Sequence, residues 1–129
     1  MKNLFDYGLL LLRVGIGGLM LTHGIPKISK LAESPIKFPD PIGLGSTTSL
    51  ILTLIGEVVA PILIIIGLKT KFASIPAAIT MFVAFFIVHA SDPIGKKEKA
   101  LLYLICFLVI FLTGAGKYSL DGLLNKKKY

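Results

Sequence analysis

The chain has 129 residues, 54% of them hydrophobic, with a mean hydropathy of +0.83 and a formal net charge of +7. The apolar residues form long blocks instead of an amphipathic stripe, which excludes a soluble core wrapped in polar surface and predicts one membrane domain over residues 1–129. The positive charge does not indicate a nucleic-acid partner. The lysines, including the tail Lys126-Lys127-Lys128, flank the apolar blocks, where anionic lipid headgroups attract them.

Four apolar segments approach the roughly 17–25 residues that a helix needs to span a bilayer. They run from Tyr7 to Thr22, Ser49 to Leu68, Phe72 to Val88 and Ala100 to Gly116. The predicted fold is all-α, a polytopic membrane protein whose four transmembrane helices form an antiparallel bundle. Arg13 interrupts the first segment and no small-residue cleavage site follows it, so we interpret that segment as a span and not as a secretory signal.

Two ionisable residues, Arg13 and Glu57, lie inside the first and second spans. A charge at the bilayer centre costs ~2.5–3.5 kcal/mol on insertion scales, so such groups normally pair or face the bundle interior. Arg13 is ten residues before His23 and Glu57 is ten residues after Thr47, which places both about 15 Å below the same end of the bundle. We therefore predict an Arg13–Glu57 ion pair. In one interpretation the pair only fixes the helix register. In the other, Glu57 is a proton acceptor or a ligand-binding carboxylate.

One long loop, residues 24–46, connects the first and second spans, because Pro26 and later prolines stop the first helix from continuing. Loops of this length tend to be lids, binding loops or disordered, and we expect an ordered cap at the membrane surface. The second span then begins near Ser46, Thr47 or Thr48, each of which is a suitable N-cap.

Pro61 interrupts the second span and removes one backbone hydrogen bond, which predicts a kink one turn beyond Glu57. The connection to the third span is the short hairpin Lys69-Thr70-Lys71. These two helices must therefore be antiparallel neighbours.

The up-and-down topology brings the ends of the first and third spans to one rim, where His23 and His89 meet although they are far apart in sequence. Lys27, Asp92 and Glu98 lie within about a turn of them. Histidine can relay protons, ligate a metal or hydrogen-bond a quinone oxygen. The alternative is that both histidines only sit at the headgroup boundary.

The fourth span carries Tyr103 and, three residues later, the only cysteine, Cys106. A single cysteine excludes an internal dithiol pair but leaves redox chemistry by a bound cofactor open. Apolar walls of the kind that a quinone ring needs are available from five phenylalanines of the third and fourth spans, Phe82, Phe85, Phe86, Phe107 and Phe111. No HExxH, GxGxxG, P-loop or cysteine-cluster motif supports a hydrolase, nucleotide-binding or structural-zinc function.

Several of these segments together resemble the DoxX family of small four-helix membrane proteins. The resemblance covers nearly the whole chain and rests on Leu11–Gly15, Thr22–Lys27, Gly56-Glu57, Gly67–Lys71, His89–Pro93 and Gly114–Asp121. It implies a four-helix bundle in the bacterial cytoplasmic (inner) membrane with cytoplasmic termini. Because the related DoxD and DoxA subunits form a thiosulfate:quinone oxidoreductase, it also implies a quinone-linked activity, although no established catalytic residue of the family maps onto this chain.

Three functional hypotheses follow. In the first, the chain is a quinone-linked oxidoreductase or its membrane subunit, with His23, His89 and Glu57 as catalytic residues and with four residues binding the quinone or a small anionic substrate: Arg13, Lys27, Asp92 and Tyr103. In the second, it is a non-enzymatic membrane component that binds a lipid or small metabolite or anchors a soluble redox partner. In the third, His23 and His89 bind a metal, either alone or with Asp92 or Glu98. Each is compatible with a homo-oligomer in the lipid bilayer.

Overall fold

A computed structural model describes residues 2–125 and, within them, the side chains from residue 4 onward. Every regular element in this range is helical, as predicted. The lysine tail for which we predicted headgroup contacts lies outside the described residues. In chain order the helices are α1 (Lys2–Gly24), a 3₁₀ helix (Ile25–Ala32), α2 (Ser46–Ile66), α3 (Thr70–Val88), α4 (Ile94–Thr113) and the short α5 (Leu120–Leu124).

Three helical stretches are long and apolar enough to cross a membrane: Leu4–Ala32, Ser46–Ile66 and Thr70–Val88. The chain is therefore a helical membrane protein. α4 has 20 residues, but charged side chains at positions 96–99 occupy its first two turns, so it does not reach the same apolar content. It also begins six residues before the predicted Ala100, directly after Pro93.

The outer faces of the helices carry large apolar side chains. Leu11, Phe72 and Leu112 are 75%, 73% and 75% exposed. Apolar surface of this extent is a liability in water and is normal where a helix faces lipid tails. Lipid contact therefore accounts for what would otherwise be an unstable surface.

The core lies where α3 packs along α4, the most extensive contact between helices. Ala73 and Ala77 of α3 are spaced by four residues, and small residues at this spacing let two helices approach closely. Phe107 and Ile110 of α4, both fully buried, belong to the same cluster. Close packing of large side chains against small ones fixes the α3–α4 pair.

The hairpin between α2 and α3 is closed by the C-terminal segment. Gly67 ends α2 in the left-handed conformation at φ 73°, with its amide bonded to the Leu63 carbonyl at 2.8 Å. Asp121 of α5 then accepts hydrogen bonds from the amides of Lys69 and Thr70, both at 2.9 Å, and so caps the start of α3. The short turn makes α2 and α3 antiparallel neighbours, as predicted.

A π turn at Ile55–Val59, with Glu57 at its centre, precedes Pro61, and the predicted kink one turn beyond Glu57 stays a prediction. Pro61 has no amide hydrogen, so the carbonyl of Glu57, four residues earlier, lacks its α-helical partner. α1 packs directly on this carbonyl through Gly24, where a Cβ would collide with the Glu57 backbone. Gly24 thus permits the closest approach of α1 to α2 at the level of the glutamate.

Candidate functional site

A cavity of about 620 Å³ opens at the end of the bundle where α1 and α3 end and α2 and α4 begin; we call it the rim cavity. Its volume lies within the range of small-molecule sites in proteins. The polar part of its lining consists of His23, Lys27, Ser49, Thr53, Glu57, Thr80, His89, Lys96, Lys97, Lys99 and Tyr103. Both histidines of the predicted rim therefore line one cavity, together with three more of the predicted site residues.

Glu57 forms the polar floor of the rim cavity and is only 3% exposed. Its partner is Lys27 of the 3₁₀ helix, whose Nζ lies 2.9 Å from Oε1 and 2.8 Å from Oε2. The Lys27 side chain is 32% exposed, so this ion pair joins a buried carboxylate to a cation that reaches the cavity opening. The predicted Arg13–Glu57 ion pair is therefore wrong, because the carboxylate pairs with Lys27.

Arg13 lies at the other end of α2, about two turns from Glu57. Its Nε donates to the Ile64 carbonyl at 2.9 Å, Nη2 to Ile65 at 2.9 Å, and Nη1 to Ala115 and Tyr118 at 2.8 and 3.0 Å. The first two carbonyls belong to the last turn of α2, where the helix dipole is negative and carbonyls lack helical partners. Arg13 thus joins α1, α2 and the segment after α4, and it does not line the rim cavity.

His23 contacts Tyr103 across the cavity wall. The two rings meet edge to face with centroids 5.8 Å apart, and Tyr103 also stacks on Phe107 of the core, at 6.2 Å. This packing holds the imidazole at a fixed angle beside the Glu57–Lys27 pair. Two of the predicted site residues, one from α1 and one from α4, are therefore neighbours.

His89 lies at the end of the second π turn, Ala84–Val88, and its Nδ1 is 2.8 Å from a carboxylate oxygen of Asp92. An ionised carboxylate can only accept, so Nδ1 carries the hydrogen and Nε2 stays available for another partner. Asp92 itself does not line the rim cavity. Asp92 is therefore placed to orient His89, and it is not placed for the direct ligand contact that we predicted.

The predicted metal site would need more ligands than the two histidines. No group of three or more His, Cys, Asp or Glu side chains that could hold a metal ion occurs among residues 2–125. Glu98, predicted near the rim, does not line the cavity.

The segment 33–45 covers one side of the rim cavity with Phe38, Pro39, Pro41 and Ile42, and it is tied to α2 by Asp40. The Asp40 carboxylate accepts hydrogen bonds from the Ser49 hydroxyl at 2.9 Å and from the amides of Leu44 and Gly45 at 2.8 and 2.9 Å. These bonds, Ser49 first and Gly45 next, lower the pKa of Asp40.

The hydrogen bonds of Asp40 at the start of α2 differ from the predicted N-cap. The residue before α2 is Gly45, which has no capping side chain, and neither Ser46, Thr47 nor Thr48 takes that place. Sequence reasoning missed Asp40, although an aspartate followed by a proline and two glycines within residues 40–45 is typical of a turn.

Three lysines of α4, Lys96, Lys97 and Lys99, also line the cavity, which the sequence analysis did not predict. Lys97 lies 4.7 Å from the ring centroid of Phe85 and donates to the Ala90 carbonyl at 3.3 Å. Their position at the start of the fourth helix, on the same rim as His23, could have indicated that they line the cavity.

The family model for DoxX matches residues 8–90 of the chain. The chain is 32% identical to "Putative oxidoreductase CatD" of Bacillus subtilis, over 99% of this chain and 95% of that protein. It is 32% identical to an uncharacterized protein of Haemophilus influenzae, over 94% and 93% of the two chains, and 30% identical to "Inner membrane protein YqjF" of Escherichia coli, over 98% and 99%. No solved structure matches the chain.

Proposed function

The chain belongs to the DoxX family, and on that basis we propose that it is the membrane component of a quinone-linked redox system, with its quinone site in the rim cavity. The observation that carries the proposal is the floor of this cavity. There a buried, ion-paired carboxylate lies beside a histidine and a tyrosine at the bottom of a mostly apolar pocket. One relative, aligned over 95% of its own length, is named as a putative oxidoreductase.

The residues present fit a quinone headgroup. A flat apolar ring needs apolar walls, which Met20, Ile79 and Met81 supply, and its two oxygens need hydrogen-bond donors. The Lys27 ammonium and the His23 imidazole both line the cavity and can donate. A volume of about 620 Å³ leaves room for the ring and the first part of a tail.

The chemistry that a bound quinone would supply is the acceptance of two electrons from a soluble redox partner and of two protons from water, one at each oxygen. The residues of the chain would hold and deliver the protons. Lys27, paired with Glu57, would hydrogen-bond one ring oxygen and deliver a proton to it, and Glu57 would hold the proton that restores the ammonium group. His23, held by Tyr103, would deliver a proton at the opening of the cavity. His89 also lines the cavity and is oriented by Asp92.

The proposal includes α4 as a fourth span and places both chain ends on the cytoplasmic side of a bacterial inner membrane. Support comes from the packing of α4 along α3 over its apolar part, residues 100–113. The charges at positions 96–99 then lie at the headgroup level on the extracytoplasmic side, where long lysine side chains reach water. A relative named as an inner membrane protein, aligned over nearly its whole length, is consistent with this location.

Binding of decylubiquinone to the purified protein in a non-ionic detergent tests the proposal. We expect saturable binding that weakens at least tenfold in Lys27→Met and in His23→Phe, because each removes a donor to a ring oxygen, worth about 1.4 kcal/mol. Lys71→Gln, exposed at the other end of the bundle, is the matched control and should bind like the wild type. Absence of saturable binding in the folded wild type, or equal affinities in all four proteins, would overturn the proposal.

A further inference from the structure

The charges of the rim cavity do not balance. Its lining contains a single carboxylate, Glu57, and both oxygens of that carboxylate are bonded to Lys27. Three further lysines line the opening, so the cavity keeps a net positive charge after the floor pair is discounted. The nearby Asp92 lies at His89 and not on the wall.

Two of these three lysines have no hydrogen-bond or ion-pair partner among residues 2–125. Lys97 is engaged by the Ala90 carbonyl and the Phe85 ring. Lys96 and Lys99 are exposed, and neither ammonium group has a hydrogen-bond or ion-pair partner in the described part of the chain. Lys99 is nevertheless close enough to His23, which lines the same cavity, to interact with it electrostatically.

Lys96 and Lys99 are three residues apart on one helix and therefore project from the same face. Like charges at this spacing destabilise a helix slightly, and an anion between them removes the repulsion. The apolar side chains Ile79, Val83 and Met20 line the same cavity. A cationic opening above apolar walls and a neutralised floor suits a molecule with an acidic group at one end.

We propose that the rim cavity binds an amphiphilic anion, whose acidic group is held by Lys96 and Lys99 while its apolar ring or chain fills the pocket. This inference rests on the proposed function only in using the same cavity, and it specifies the ligand class as a carboxylate, sulfonate or phosphate ester with an apolar body. The acidic group belongs either to a free amphiphile or to a lipid headgroup. Electrostatic selection of this kind favours the anion over a neutral molecule of the same shape.

Three aromatic probes of matched shape test the inference on the full chain in dodecyl maltoside: 1,4-naphthoquinone, its 2-sulfonate, and naphthalene-2-sulfonate. We expect both sulfonates to bind and the quinone sulfonate to bind more tightly than the neutral quinone. Lys96→Gln combined with Lys99→Gln should weaken both sulfonates about fivefold or more, since exposed ion pairs contribute a few-fold each, and should leave naphthoquinone unchanged. The matched control, Lys69→Gln with Lys71→Gln, removes the same charge from the opposite end and should change nothing.

The outcomes separate this inference from the quinone function. Lys-dependent binding of naphthalene-2-sulfonate without binding of naphthoquinone supports the anion site and removes the quinone site. Binding of naphthoquinone with no gain from the sulfonate, or an equal loss in the hairpin control, overturns the anion site. Where the lysine dependence holds, displacement of the sulfonate by phosphatidylglycerol and not by phosphatidylcholine assigns the anion to a lipid, and no displacement assigns it to a free amphiphile.

Discussion

At the scale of single residues, Arg13 and Glu57 remain buried in an apolar bundle by different means. The arginine, the only one in the chain, donates to carbonyls of three different segments, and the glutamate binds one lysine through both oxygens. Planar guanidinium presents five donors in a fixed fork, which an ammonium group cannot reproduce. The first residue therefore organises structure, and the second lines the rim cavity.

Arg13→Lys tests the organising role. We expect the free energy of unfolding in mixed micelles to fall by about 3 kcal/mol, because at least two buried carbonyls lose their donors at roughly 1–3 kcal/mol each. The control Lys71→Arg changes an exposed cation and should have no effect. An unfolding midpoint equal to that of the wild type would show that the carbonyl contacts are dispensable.

Removal of Lys27 and removal of Glu57 should lower the free energy of unfolding by different amounts. Lys27→Met leaves a nearly fully buried carboxylate without its cation and should cost about 3 kcal/mol. Glu57→Gln leaves a lysine that is one third exposed and can reach water, so the cost should be nearer 1 kcal/mol. The double variant should recover most of the Lys27→Met loss, and equilibrium unfolding of the four proteins measures this coupling.

Asp121 predicts a dependence of stability on pH. Burial raises the pKa of its carboxyl, but the bonds from Thr70 and Lys69 outweigh this and leave the pKa below the ordinary value of 3.8. Because this pKa is lowered on folding, ionised Asp121 stabilises the folded state fully above about pH 3.8. This contribution disappears as the pH falls through the pKa of the folded state. Asp121→Asn should be ~1–2 kcal/mol less stable at pH 7, with the difference shrinking below pH 3.8. Glu33→Gln, exposed in the loop, should keep the wild-type pH profile.

At the scale of helices, the contact between α1 and α2 depends on Gly24. Its neighbour is the backbone of Glu57, in the π turn that accompanies Pro61, so a side chain on Gly24 would move the helix that carries His23 away from the glutamate. π turns inside α-helices often mark functional sites. Both such turns in the described residues lie next to predicted site residues, Glu57 and His89.

Gly24→Ala should therefore destabilise the fold by about 1–3 kcal/mol, the usual cost of forcing atoms into a packed contact. Gly18→Ala is the matched control in the same helix, since a Cβ there meets nothing within 4 Å. It should leave stability unchanged or raise it by up to ~1 kcal/mol, because alanine is the better helix former. Thermal unfolding of both variants in detergent measures the difference, and equal melting temperatures would contradict the predicted contact.

The helices and their antiparallel order could be predicted from the sequence because apolar runs and a three-residue hairpin leave few alternatives. The convergence of His23 and His89 on one cavity followed from that order. The partners of Arg13 and Glu57 could not be predicted, because the depth of a Cα does not fix where a long side chain ends. Arg13 extends towards the negative end of α2, and Lys27 extends inward from a segment that sequence reasoning assigned to the loop.

At the scale of the whole molecule, the two ends of the bundle differ in structure. The rim carries the cavity, with its histidines and lysines, while the opposite end is closed by Arg13 and Asp121. Four spans would place these ends on opposite sides of the membrane.

Cysteine labelling tests this arrangement. In a Cys106→Ala background, we expect Lys37→Cys in the rim loop to react in intact spheroplasts with a membrane-impermeant maleimide, and Lys69→Cys in the hairpin to react only after the membrane is opened. Both positions lie outside the three apolar spans. The reverse labelling would invert the proposed orientation, and labelling of both in intact spheroplasts would rule out the membrane crossing between them.

The Arg13 cluster has a consequence for biosynthesis. Its carbonyl partners follow it by 51 residues at Ile64, 102 at Ala115 and 105 at Tyr118. At a translation rate of about 5–20 residues per second, α1 leaves the ribosome roughly 5–20 s before the last of these groups exists. Until then water or lipid phosphate must solvate the guanidinium. The hydrogen bonds of Arg13 are therefore complete only after the segment that follows α4 has been made.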